Sequence, residues 1–119
     1  MTGPDAVVVL VTGPDAETLR AMAVRLVDER LAACVNLIPG MTSVYRWEEQ
    51  VRQADEVLAV VKTTRPTLDA LRARILELHP YDVPEFLALP VEAGGPAYLA
   101  WIDECVALGP QSQGTDEQT

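Results

Sequence analysis

With 119 residues the chain fits one domain, long enough to bury a real core and short enough that each sheet or helix face must find cover. Its net charge of −9 repels phosphate backbones and argues against nucleic acid as a partner, and no apolar run reaches the roughly 18–20 residues that cross a bilayer. Hydrophobic residues make up 49% and charged residues 23%, the balance of a soluble globular domain.

Residues 6–12 are rich in valine, too short for a helix and closed by Gly13 and Pro14, so they predict a strand apolar on both faces. No basic region precedes them and no small-residue cleavage pattern follows, which leads to the expectation of a cytoplasmic protein. Asp15 then caps a helix whose apolar positions Leu19, Met22, Ala23, Leu26, Val27 and Leu31 keep the i, i+3, i+4 spacing. Residues 34–38 begin a second strand, which Pro39 and Gly40 bulge or bend before it continues over 42–47. Glu48, Glu49 and Gln50 form the turn, and residues 51–64 return as a long third strand, so the two make an extended hairpin.

Pro66 sits in the first turn of the next helix, which turns Leu68, Leu71, Ile75 and Leu78 inward and stops at Pro80. A last strand is predicted over 86–91 and a terminal helix over 97–108, with Tyr98, Leu99, Trp101 and Ile102 as its apolar content. The domain is thus placed at residues 1–108. Residues 109–119 contain no apolar side chain to bury and read as a disordered tail. Cys34 and Cys105 are far apart in sequence and outside any C-x-x-C pair, so both are expected as buried thiols rather than a disulfide.

This order predicts an α+β, ferredoxin-like βαββαβ fold with an extended hairpin between the second and third strands and a C-terminal helix. Two crossover helices cover one face of such a sheet and leave the other open. Yet Val7, Val9 and Val11 alternate with Val8 and Leu10, and Val57, Ala59 and Val61 with Leu58 and Val60, so both faces are apolar. At about 25 cal/mol per Å² of apolar surface, the open face needs a cover, and a homo-oligomer packed through its sheets supplies it.

The segments VTGPD at residues 11–15, RLAACVNLIPG at 30–40, SVYRWE at 43–48, VKTT at 61–64, HPY at 79–81 and PE at 84–85 stand in the order and spacing of a known family. Over residues 7–106 the chain resembles the CutA divalent-cation tolerance proteins. The resemblance implies a tight homotrimer of ferredoxin-like subunits, similar in architecture to the PII signalling proteins. It also implies a link to metal tolerance and to binding of divalent cations such as copper, and no known reaction. Two departures bear on metal binding. Val11 stands where some members have a cysteine, and Glu49 and Gln50 stand where the family tends to have Gly and Lys, which makes the turn more acidic.

The remaining candidate metal ligands are His79, Glu85 and Cys34; the imidazole and carboxylate suit Cu(II) or Zn(II), and the thiolate suits Cu(I) or Zn(II). None shares an element with a second ligand at metal-binding spacing, so a site has to be assembled by tertiary contact or between subunits. Tyr45, Trp47, Lys62 and Tyr81 are candidate walls of a ligand cleft, with Lys62 a potential ion-pair partner of Glu85 or Asp82. Each has a plainer reading. His79, the only histidine, can simply end a helix before Pro80, Cys34 can be an inert buried thiol, and the aromatics can pack at a subunit boundary. Two other functions compete. His79 with Glu85 or Glu48 could form a general acid/base pair, although no activated nucleophile or phosphate loop accompanies it. The chain could also be a structural or signalling trimer that docks on a partner protein.

Overall fold

The valine run forms strand β1, Ala6–Gly13, in a computed structural model that describes residues 4–107. The expected domain end at residue 108 and the tail at 109–119 lie outside the described residues. Helix α1, Ala16–Asp28, starts where the Asp15 carboxylate accepts the amide of Thr18 at 2.7 Å, satisfying a donor that the first turn leaves free. Strand β2, Cys34–Trp47, and strand β3, Gln50–Thr64, form the long hairpin. Helix α2, Leu68–Leu78, follows a single 3₁₀ turn, strand β4 is Leu87–Pro90, and helix α3 is Pro96–Val106. The four strands lie in the order β2-β3-β1-β4, all neighbours antiparallel, which is the ferredoxin-like topology expected from the chain order.

Register decides which residues share a face. Val7, Val9 and Val11 of β1 lie across from Thr63, Val61 and Ala59 of β3, and this face packs on Leu19, Leu26, Leu71 and Ile75 of the two helices, all fully buried. Each such aliphatic side chain contributes roughly 1.5–3 kcal/mol. The buried Thr63 hydroxyl donates to the Leu31 carbonyl at 2.8 Å, so the one polar group in this row is satisfied. On the opposite face, Val8 and Leu10 align with Lys62 and Val60 of β3 and with Leu89 and Leu87 of β4. There Leu87, Leu89 and Ile38 are about half exposed, because α3 covers only one end of that face through Ala6, Ala33 and Ile102.

Three local features depart from the sequence reading. Leu31 is buried, but α1 ends at Asp28. Arg30 adopts a left-handed conformation at φ 62°, and the amides of Arg30 and Leu31 fold back onto the carbonyls of Val27 and Leu26 at 3.1 and 2.9 Å, closing the helix as a Schellman motif. Val27 faces outward rather than inward, and Tyr98 and Trp101 of α3 are exposed while Ile102 and Val106 carry its packing. The expected interruption at Pro39 and Gly40 is a bulge, with Gly40 at φ 80° and the register shifted between Ile38 and Met41.

Candidate functional site

The hairpin is longer than the rest of the sheet. Gly13, the last residue of β1, lies opposite Val57, so residues 50–56 of β3 have only β2 beside them. The loop after α2 crosses the end of β1 and meets this overhang, and between them lies a cleft of about 770 Å³. Its floor is Thr12, its hairpin wall carries Tyr45, Trp47, Arg52 and Glu56, and its loop wall carries Tyr81, Asp82 and Glu85. Gln50, Arg52, Glu56, Leu58, Val60 and Lys62 are all even-numbered positions of one strand, so the cleft opens on the same sheet face as the uncovered apolar row.

His79 sets the loop in place. It is 7% exposed, stands in extended conformation just after α2, and donates its own amide to the Ile75 carbonyl at 2.8 Å. The ring Nδ1 accepts the Tyr81 amide at 3.1 Å, which puts the ring proton on Nε2, where it donates to the Thr12 carbonyl at 2.7 Å. Both nitrogens are therefore engaged, and the imidazole stands behind the cleft wall with the Tyr81 ring 4.7 Å away. The Tyr81 hydroxyl in turn donates to a Glu56 carboxylate oxygen at 2.8 Å, tying loop to hairpin.

The electrostatics of the cleft are one-sided. Burial, then the charge of Glu56, raises the Glu85 carboxyl above the ordinary carboxylate range. Burial, then the hydrogen bond to Glu56, pushes the Tyr81 hydroxyl up to about 12. Among the described residues Arg52 is the only cationic side chain on the walls, and it lies 3.8 Å from Glu48 on the hairpin. Glu56, Asp82 and Glu85 face it from the same cavity, so the cleft favours positive charge.

Of the residues singled out by sequence, Tyr45, Trp47, Tyr81 and Glu85 come together in this cleft, with His79 behind it. Lys62 and Cys34 do not. They are paired across β3 and β2 at the opposite end of the sheet, where the Lys62 ammonium lies 3.3 Å from the Tyr98 hydroxyl and 5.6 Å from its ring centre. Lys62 thus has Tyr98 of α3 as its neighbour in place of the expected Glu85 or Asp82. Cys34 and Cys105 are only partly buried rather than buried as expected, and the Cys34 thiol, 3.8 Å from the Asn36 side-chain oxygen, makes at most a weak local contact. No three His, Cys, Asp or Glu residues gather as a metal cluster among the described residues. The sequence reading did not single out Glu56, Arg52 or Thr12 as cleft residues. Glu56 resembles any polar residue of an exposed strand until the loop brings Tyr81 to it.

Fold and cleft together define a small ferredoxin-like α+β protein with an open apolar sheet face and, at its edge, a pocket that attracts positive charge. The sequence model of the CutA1 divalent ion tolerance protein family matches residues 7–105. The chain is 50% identical over 97 residues to the divalent-cation tolerance protein CutA of Thermus thermophilus, a match spanning 82% of this chain and 94% of that one. It is 44% identical over 97 residues to the chloroplastic protein CutA 1 of Oryza sativa subsp. japonica, spanning 82% of this chain and 55% of the longer plant protein. The crystal structure of CutA from Xylella fastidiosa superposes with a TM-score of 0.84 at 37% identity, over 86% of this chain and 98% of that one. The chain belongs to the CutA1 divalent ion tolerance family.

Proposed function

We propose that this protein acts in divalent-cation tolerance in the cytoplasm, as a homotrimer packed through its open sheet faces that holds Cu(II), Zn(II) or a small ligand in clefts bordered by neighbouring subunits. The observation that carries the reading is continuity. Leu58 and Val60 of the uncovered apolar row and Glu56 and Arg52 of the cleft alternate along one side of β3, so a second copy that covers the first borders the second. The number three is what the family resemblance implies. The free thiols of Cys34 and Cys105 suit a reducing compartment.

The donor set supports a shared site over one held by a single chain. One chain brings Glu56, Asp82 and Glu85 to the cleft walls, but these do not close into a metal cluster. In this reading Glu85 faces the cation, a neighbouring subunit completes the coordination, and His79 positions the loop. Cu(II) leads the affinity order of first-row divalent ions up to zinc at oxygen and nitrogen donors. The reading is one of binding rather than catalysis, since an imidazole with both nitrogens hydrogen-bonded is not poised to exchange a proton with a substrate.

Sedimentation of the full chain, with calorimetric titration of CuCl₂ and ZnCl₂ into wild type and Glu85→Gln, tests the proposal. The expected result is a trimer whose cation affinity falls in the variant. A folded monomer at micromolar concentration, or equal affinities, overturns it.

A further inference from the structure

We propose that the cleft between the hairpin and the loop after α2 is a receptor for a small organic ammonium ion, its alkyl part held by the aromatic rings of Tyr45, Trp47 and Tyr81 and its charge by Glu56 and Glu85. This rests on the reading of the cleft as a cation site and names the class of cation.

Three observations carry it. The first is size. A cavity of about 770 Å³ falls within the roughly 300–1,000 Å³ typical of pockets for organic ligands, and it is far larger than a metal ion and its ligand shell need. The second is the chemistry of the walls. Metal sites are lined with convergent donors, yet no cluster of three metal-ligating side chains forms among the described residues, and the largest side chains in the cleft are aromatic. Tyrosine and tryptophan faces attract ammonium groups through the ring quadrupole and shed water from methyl and methylene groups as well, a combination that a hydrated metal ion does not exploit. Trp47 is 48% exposed on a hairpin that overhangs the sheet, so a large apolar ring stands in solvent where packing within the chain does not require it.

The third observation is charge. Arg52 is outnumbered by Glu56, Asp82 and Glu85, which turns away phosphates and carboxylates. Glu56 already accepts the Tyr81 hydroxyl, which aims its carboxylate from the hairpin toward the loop, whereas Glu85 makes no side-chain hydrogen bond among the described residues. Glu85 is partly buried on the loop wall, with Glu56 on the facing hairpin wall, so an ammonium ion that enters the cleft meets a carboxylate on each side.

Calorimetric titration of the assembled protein with tetramethylammonium chloride, against sodium chloride at equal ionic strength, tests the inference, with CuCl₂ titrated in parallel. Saturable tetramethylammonium binding is expected, weakened at least about tenfold by Trp47→Ala and by Glu85→Gln and largely retained in Trp47→Phe. Copper binding in that comparison is expected to respond to Glu85→Gln and not to Trp47→Ala. Matching thermal unfolding of the variants confirms that the fold is intact. Absence of saturable tetramethylammonium binding, or binding indifferent to both substitutions, overturns the inference. If copper still binds through Glu85 in that case, the divalent-cation reading stands alone. Tetramethylammonium binding without copper binding supports the inference and removes the divalent reading.

Discussion

The ring Nε2 of His79 donates to the Thr12 carbonyl across 2.7 Å, joining the end of α2 to the end of β1. Through the Tyr81 amide on Nδ1, the same ring fixes the first turn of the cleft wall. His79→Ala removes both bonds at a part-buried site, together with the packing of the buried ring, and the expected loss of stability is about 1–3 kcal/mol. Denaturant unfolding measures it, and faster hydrogen exchange at the Tyr81 amide should accompany it. A variant as stable as wild type would show that the bond between these two elements does not matter.

Arg30 holds a left-handed backbone and extends its guanidinium to the Cys105 carbonyl at 3.2 Å, linking the end of α1 to the last turn of α3. Arg30→Gly and Arg30→Ala both lose that link, but only alanine keeps the backbone penalty. Arg30→Ala should therefore be less stable than Arg30→Gly by about 1 kcal/mol. Equal midpoints in guanidinium would refute the assignment of strain to this residue.

Gly13 admits the close approach of β1 to α1, since a Cβ there would stand 2.7 Å from Cγ of the fully buried Leu19. Leu19 is fully buried in the core cluster, so it can give way only by repacking against its neighbours. Gly13→Ala should cost about 1–3 kcal/mol, read from thermal or chemical unfolding, and Gly13→Ala combined with Leu19→Ala should lose less than the sum of the two single changes.

Glu48 and Glu49 connect β2 to β3 with φ of 52° and 70°, the type I′ pattern that asparagine and glycine adopt most readily. Replacing both, Glu48→Asn with Glu49→Gly, should stabilise the hairpin by about 1 kcal/mol. A lower unfolding midpoint for the double variant would instead point to a contact of these carboxylates that outweighs backbone strain.

Glu85 makes stability depend on pH in a stated direction. Its folded carboxyl is raised by burial and by Glu56, so the folded state holds the proton more tightly than the unfolded chain. The resulting stabilisation is fully present below the unfolded value of about 4.3 and is lost as pH rises through the raised folded value. Glu85→Gln should therefore gain on wild type as pH rises through that window, with the gap closing again in acid. Parallel unfolding curves from pH 4 to 7 would test this, and a gap independent of pH would contradict it.

The order of elements, the apolar character of both sheet faces and the loop that lines the cleft could be read from the chain alone, because these depend on local signals. Valine runs, i, i+3, i+4 spacing and the breaks at Gly13, Pro39, Gly40 and Pro80 act over a few residues and survive in the fold. Tertiary structure alone decided how far along the sheet any two segments meet. Alternation assigns Lys62 and Glu56 to the same face of β3, yet the register sets Lys62 beside Cys34 and Tyr98 while the returning loop sets Glu56 beside Tyr81. That is why His79 and Glu85 were legible as loop residues of interest while their separation from Cys34 and Lys62 was not. The left-handed turn at Arg30 was hidden for a related reason. A Schellman close is usually marked by glycine or asparagine, and an arginine there gives no such signal, while its bond to the Cys105 carbonyl joins residues 75 apart in the chain.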